Sequence, residues 1–119
     1  MENQEYQQEA SKTIPEDVVY NNKNFNVERL KIINALLGLS GEVGEVTDLV
    51  KKAYFQGHTL DKQDLCKEIG DVFWYLNLLC QALDISFSQV METNIIKLRK
   101  RYGEHFEANK SINREEYRK

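Results

Sequence analysis

The sequence contains one proline, six glycines and two cysteines among its 119 residues. So few proline and glycine residues argue against a loop-rich β protein. No Cys-x-x-Cys pair or Cys/His spacing indicates a zinc site. Cys66 and Cys80 fall in one predicted helix, where a rise of about 1.5 Å per residue separates them by roughly 21 Å. That distance is too long for a disulfide, so we expect two reduced core cysteines.

The sequence also lacks the features of a secreted or membrane protein. Its first eleven residues are polar throughout, and no run of about 20 apolar residues is present. The net charge of −3 gives no overall attraction to nucleic acid or to an anionic membrane. With 41% hydrophobic and 29% charged residues, the composition is that of a globular protein. We therefore expect one cytoplasmic domain over residues 1–119 that binds neither a nucleic-acid polymer nor a membrane.

Helical periodicity dominates the rest of the chain and predicts an all-α fold. Apolar residues recur three or four positions apart in the long segments, which is typical of amphipathic helices. Ser86 and Gln89 form a capping box, and Gly103 is a suitable C-cap. The predicted elements are a short polar helix at 2–13, a linker at 14–26, helices from 26 or 27 to about 54, at 61–83 and from 86 to about 102, and a charged tail at 104–119. The core of the domain is expected over about 27–103.

One side of the third long segment predicts a packing seam. Its apolar residues are spaced 4-3-4-3-4, at Leu65, Ile69, Val72, Leu76, Leu79 and Leu83. Glu68, Asp71 and Tyr75 lie on the neighbouring stripe and are therefore expected to border the core. In the preceding helix, three glycines cost about 1 kcal/mol each relative to alanine. These glycines are Gly38, Gly41 and Gly44. Their presence implies the close approach of another backbone or of a ligand.

Two acidic pairs carry the chemistry. Glu42 and Glu45, and likewise Glu68 and Asp71, are three residues apart, so each pair projects from one face of its helix. Residues 46–67 are enough to end one helix, turn and begin the next antiparallel to it. Four carboxylates brought together in this way would repel one another unless a hard divalent cation lay between them, Mg²⁺ above all. The alternative interpretation is a pair of solvated helix faces.

Basic and amide side chains elsewhere suggest a phosphate-containing ligand. Asn94, Lys97 and Arg101 recur along one face of the last long helix, and Lys51 follows Glu45 at a distance of two turns. Phosphates are bound by divalent cations and Lys or Arg donors together. A di-iron bundle is disfavoured because it needs Glu-x-x-His on two helices, whereas all-carboxylate ligation favours Mg²⁺ or Mn²⁺.

The combined motifs resemble those of the MazG-like nucleotide pyrophosphohydrolases, in the all-α NTP pyrophosphatase superfamily. The resemblance covers roughly residues 30–106 and rests on three strings in order: GLSGEVGEV from 38, KEIGDVFWYL from 67 and NIIKLRKRY from 94. Together the E-x-x-E, E-x-x-D and N-x-x-K-L patterns are specific, although each alone is weak.

This resemblance implies an antiparallel bundle of about four main helices, completed by assembly as a homodimer or homotetramer. It also implies Mg²⁺-dependent hydrolysis of a nucleoside triphosphate to the monophosphate and pyrophosphate, with Mn²⁺ as a possible substitute. The expected metal-binding and catalytic carboxylates are Glu42, Glu45, Glu68 and Asp71. The expected substrate-binding residues are Lys51, Tyr75, Asn94, Lys97 and Arg101, whereas Trp74 is expected to pack.

Two other functions stay open from the sequence. One is a helical interaction module that kept the bundle and lost turnover, which the intact carboxylates argue against. The other is a pyrophosphohydrolase of a different nucleotide, such as phosphoribosyl-ATP. Base and sugar preference, the number of metal ions and the carboxylate that orients the attacking water do not follow from these motifs.

Overall fold

The structure, a computed structural model, describes residues 1–20 and 26–113. These residues contain helices and no strand, so the predicted all-α class is confirmed. The predicted linker and tail extend outside the described residues at 21–25 and 114–119. The elements are α1 (Asn3–Ser11), a short 3₁₀ helix (Asp17–Val19), α2 (Val27–Phe55), α3 (Lys62–Ala82), α4 (Phe87–Tyr102) and α5 (Ala108–Ile112). Within this part of the chain, none of the helices combines the length and apolar character that crossing a bilayer requires.

Local side-chain hydrogen bonds set where the long helices begin. The backbone N–H of Arg29 donates to Asn26 Oδ1 at 2.8 Å, at the start of α2. The backbone N–H of Gln63 donates to Asp61 Oδ1 at 2.7 Å, at the start of α3. The predicted capping box of α4 is confirmed, because Ser86 and Gln89 each accept from the other's backbone N–H. Gly103 ends α4 with a φ of 66°, a conformation that favours glycine.

Helices α2 and α3 form the main packed unit. Residues 56–61 connect them, with Gly57 at a φ of 73°, so the two helices run antiparallel and pack along their lengths. Ala35 on α2 and Leu78 on α3 are almost fully buried. The small alanine side chain allows a close approach of α2 at this level. The hairpin therefore fixes which residues of α2 lie opposite which residues of α3.

The predicted apolar seam of α3 is only partly buried. Ile69 and Leu83 expose 44% and 50% of their surface, so the expectation that both lie in the core is wrong for a single chain. Cys66 is also exposed, in contrast to the predicted core position, whereas Cys80 is buried as expected. Ile69 and Cys66 lie in the N-terminal half of α3, whereas its buried residues lie in the C-terminal half, where α1 adds a further packing surface. Leu83 follows the last residue of α3, beyond this buried part.

A buried polar network holds α1 on α3. The Asn77 side chain has no exposed surface and accepts a hydrogen bond from Gln7 Nε2 at 3.0 Å. Its own amide nitrogen donates to Ser11 Oγ at 3.2 Å. Gln7 is itself buried, and its Oε1 accepts from the backbone N–H of Phe87 at 2.9 Å, in the first turn of α4. Because buried amides are costly without partners, this network fixes the mutual positions of three helices.

An aromatic cluster accompanies the network. The ring of Tyr6 on α1 stacks on Phe87 at a centroid distance of 6.1 Å and meets Phe73 of α3 edge-on at 6.2 Å. Each such pair contributes about 0.5–1.5 kcal/mol of stability beyond the contribution of the buried ring surface. Helix α4 is thus attached chiefly through α1, and the N-terminal helix joins the two halves of the molecule.

We predict that Asn77→Leu lowers the free energy of unfolding by about 1–3 kcal/mol, because the buried Gln7 amide loses its acceptor. Urea denaturation measures this change. Gln81→Leu is the matched control: its longer 3.4 Å bond to the same Asn77 oxygen is partly exposed, so the cost should stay below about 0.5 kcal/mol. Equal costs for the two variants would contradict the role assigned to the network.

Candidate metal centre

Three carboxylates from α2 and α3 meet on the hairpin. Glu42, Glu68 and Asp71 each place one carboxylate oxygen within 4.8 Å of those of the other two. The register follows from the antiparallel connection: Glu42 and Asp71 lie opposite each other, and one turn farther from the connection Gly38 lies against Tyr75. The i, i+3 spacing on α3 then adds Glu68 on the same face.

The electrostatics of this cluster suit a cation. Desolvation by burial raises the pKa of Glu42 above its ordinary value of 4.5, and the negative charges of Asp71, Glu68 and Glu45 raise it further. Among the described residues, no lysine or arginine forms an ion pair with any of the three clustered carboxylates. Three hard oxygen donors without a basic partner are the ligand chemistry of Mg²⁺ and related divalent ions. The residues present therefore fit a divalent cation.

Glu45, the fourth predicted ligand, lies beside this cluster and outside the group of three. Its side chain is exposed on α2, and its charge contributes to the raised pKa of Glu42. Lys51 does not extend toward the cluster but contacts Asp48 at 3.5 Å, next to a shorter 2.8 Å pair of Asp48 with Lys52. The Lys52 hydrogen bond is the main cause that lowers the pKa of Asp48.

A cleft with a volume of about 390 Å³ opens directly beside the carboxylates. Its lining combines two of the carboxylates, Glu42 and Asp71, with two aromatic residues, Trp74 and Tyr75, and with Thr13. The predicted placement of Tyr75 near a ligand site is thus compatible with the cleft. Thr13, which follows α1, has no signal in the sequence that would have identified it. Trp74 carries one signal, its spacing of one turn from Asp71, but we expected it only to pack.

The glycines of α2 behave differently from one another. The ring of Tyr75 lies where a side chain at Gly38 would project, so the expected close approach occurs there. Among the described residues, nothing lies within 4 Å of a side chain built at Gly41 or Gly44. No backbone of the described chain therefore approaches these two positions, and the alternative, the close approach of a ligand, stays a prediction.

The predicted phosphate-binding residues of α4 do not line the cleft beside the carboxylates. Asn94 and Lys97 line a second cleft with apolar and polar neighbours from the start of α4, and this cleft includes none of the three clustered carboxylates. Arg101 lies in the last turn of α4 and is partly buried. Because α4 packs mainly on α1 and α5, Asn94 and Lys97 face a cleft separate from the one beside the cluster.

Fold and site together define an all-α protein with a carboxylate-based candidate cation site between two antiparallel helices. Comparison with known families places the chain more narrowly. Residues 31–106 match the MazG nucleotide pyrophosphohydrolase domain, and the chain belongs to that family.

One curated relative is similar to part of the chain. The Gene 37 protein of Mycobacterium phage L5 is 38% identical over 69 residues, which is 55% of this chain and 60% of the phage protein. The chain thus matches about three fifths of that relative's length, and the relative's name states no function. No solved structure matches the chain.

We predict that Glu42→Gln raises the thermal unfolding midpoint of the metal-free protein near pH 7. The raised pKa means that the folded state disfavours the Glu42 anion, so ionised Glu42 costs stability above that pKa. As the pH falls toward the ordinary value of 4.5, wild-type Glu42 becomes protonated and the advantage of the variant should shrink. Thermal melts across this pH range measure the difference.

Added Mg²⁺ should make the wild type more stable than Glu42→Gln, because only a protein that binds the ion gains stability from it. Glu45→Gln is the matched control on the same helix and should keep most of the Mg²⁺ response. A Glu42→Gln protein that is less stable than wild type without metal, or equally stabilised by Mg²⁺, would refute this account.

Proposed function

We propose that the protein is a Mg²⁺-dependent nucleoside triphosphate pyrophosphohydrolase that converts a (d)NTP to the (d)NMP and pyrophosphate. The observation that carries the proposal is the group of Glu42, Glu68 and Asp71, which has no basic partner within residues 1–20 and 26–113, in a chain of this family. Mn²⁺ is the expected substitute ion. Nucleotides are cytoplasmic metabolites, and we propose that residues 1–119 act there as one catalytic domain.

The four carboxylates have two proposed roles, cation binding and proton acceptance. Glu42, Glu68 and Asp71 would hold the cation, which supplies charge neutralisation for the triphosphate and acidifies water. In the reaction, a water oxygen bonds to the α-phosphorus, the bond to the bridging oxygen of the β-phosphate breaks, and pyrophosphate leaves. Glu45 is exposed beside the cluster and not needed among the three ligands, so we propose that its carboxylate accepts the proton released by the attacking water.

We further propose that a homodimer or homotetramer completes the site. The radius of gyration is 18.1 Å, whereas a compact chain of this length has about 13–14 Å. Large apolar side chains are exposed on the long helices α2, α3 and α4, including Leu37 of α2 at 70% and Ile96 of α4 at 65%. Such faces are typical of interaction surfaces. Packing of a second copy would let Asn94, Lys97 and Arg101 reach the phosphates that one chain alone leaves without these donors.

Asp71→Asn and Glu68→Gln should each lower kcat/KM for dNTPs by about 100-fold or more, because each removes an anionic ligand of the cation that neutralises the phosphate charge. The assay follows dNMP and pyrophosphate release from a panel of canonical and modified nucleotides with Mg²⁺. Asp48→Asn is the matched control, since Asp48 lies on α2 but is already paired with Lys52. Undiminished turnover in both site variants would refute the assignment.

The same panel separates the remaining possibilities. Phosphoribosyl-ATP as the preferred substrate would keep the chemistry and change the nucleotide. A non-catalytic helical module would release no product from any nucleotide, and Mg²⁺ with a nonhydrolysable triphosphate would not stabilise it.

We predict that Leu37→Glu and Ile96→Glu, tested separately, shift the protein toward the monomer in light scattering coupled to gel filtration. In a single chain both side chains are mostly exposed, so a charge should change the monomer's stability little. Ile112→Glu is the control, because Ile112 is similarly exposed at 78% but lies on the short helix α5, outside the long helices. A wild-type protein that is monomeric at all concentrations would contradict the proposal.

A further inference from the structure

Trp74 lies one helical turn from a member of the carboxylate cluster. Asp71, Trp74 and Tyr75 stand at i, i+3 and i+4 on α3, and all three line the cleft that also contains Glu42. The indole is only partly buried, so part of its surface faces this cleft. A ligand whose charged end lies at the carboxylates would therefore have an aromatic surface within reach of its other end.

The orientation of the indole is set by the N-terminal segment. Trp74 Nε1–H donates to Thr13 Oγ1 at 2.6 Å, and the Thr13 hydroxyl donates in turn to the Ala10 carbonyl at 2.7 Å. On its other flank, the Tyr75 ring meets Trp74 edge-on at 5.0 Å with an interplanar angle of 83°. Tyr75 is itself seated against Gly38 of α2. Thr13 and Tyr75 thus fix the orientation of the Trp74 indole.

This arrangement leaves the indole without a free polar group, because its single N–H is already donated to Thr13. Trp74 can offer a ligand its ring and no hydrogen-bond donor. Aromatic stacking tolerates different bases, since every base has a π-face.

We propose that Trp74 is the surface on which the nucleobase of the substrate stacks, and that Thr13 is a positioning residue that holds the indole for this contact. The inference rests on the proposed function and names the part of the cleft that receives the nucleoside. It also assigns α1 and the residues after it a role in substrate binding. The stacking contact selects for a nucleotide over inorganic polyphosphate and discriminates weakly among bases.

Trp74 is the only tryptophan of the chain, so its fluorescence reports on this contact directly. The wild-type protein is titrated in the presence of Mg²⁺ with an α,β-methylene dNTP and, separately, with inorganic tripolyphosphate. We expect saturable quenching by the nucleotide analogue and little change with tripolyphosphate. Identical responses to the two ligands, or no response to the nucleotide, would overturn the inference.

Kinetics of matched variants separate stacking from packing. Trp74→Leu should raise KM for all four canonical dNTPs by roughly tenfold or more, and by a larger factor than it lowers kcat, because base–aromatic stacking is lost. Trp74→Phe keeps a ring and should retain most of the affinity. Inhibition by tripolyphosphate should keep its inhibition constant in both variants.

Thr13→Val should raise KM in the same direction as Trp74→Leu, and Thr13→Ser should restore it, since serine keeps the hydroxyl that accepts from the indole. Thermal melts of all four variants report any loss of folding. If Trp74→Leu lowers stability but leaves KM unchanged, Trp74 only packs and the inference is overturned.

The inference and the proposed function fail in different ways. Turnover of dNTPs by the wild type, with KM and fluorescence indifferent to Trp74, would overturn the stacking surface and leave the enzyme assignment intact. Absence of turnover with every nucleotide would overturn the enzyme assignment, and the fluorescence titration would still decide whether a base stacks on Trp74.

Discussion

The mutual repulsion of Glu42, Glu68 and Asp71 is the constraint on which the rest of the molecule depends. Carboxylate oxygens within 4.8 Å of one another are unfavourable in a folded chain. The raised pKa of Glu42 reflects desolvation first and then this repulsion. The antiparallel α2–α3 hairpin opposes this repulsion through packing around Ala35 and Leu78. Stability lost at the carboxylates is a recurrent feature of functional sites, where the geometry needed for a ligand is maintained by the surrounding structure.

The N-terminal helix has two roles in maintaining that geometry. Through Gln7 and Asn77 it joins α3 to the start of α4, and through Thr13 it fixes the indole beside the cluster. Both connections are side-chain hydrogen bonds across more than sixty residues of sequence. A buried amide pair has few alternative partners in an apolar interior, so it specifies one arrangement of the helices. The segment outside the family match at 31–106 is therefore part of the architecture around the site.

Local signals in the sequence were sufficient to predict helices α1 to α4 and the acidic pairs, but not the 3₁₀ helix in the linker or α5 in the charged tail. The capping box at Ser86 and the period of apolar residues depend only on neighbours along the chain, and both predictions are confirmed. Exposure could not be predicted equally well, because it depends on what covers a face. Ile69 satisfies the heptad-like spacing yet remains exposed, and Cys66, which was also expected in the core, is exposed as well. Thr13 could not be found at all, because its contact with Trp74 spans two elements that no periodicity relates.

The proposed cation site and the proposed stacking surface demand different properties from α3, and its sequence supplies both. The cation site would gain from exposure, because Asp71 would exchange water for the ion, whereas an aromatic surface must be held rigidly to favour stacking. One turn of helix separates these environments: Asp71 is exposed, while Trp74 is fixed by Thr13 and Tyr75. A helix can present both because residues three and four apart share a face. Recognition of charge and of an aromatic ring can thus be built from consecutive turns of one helix, provided that α1 and α2 hold its two flanks.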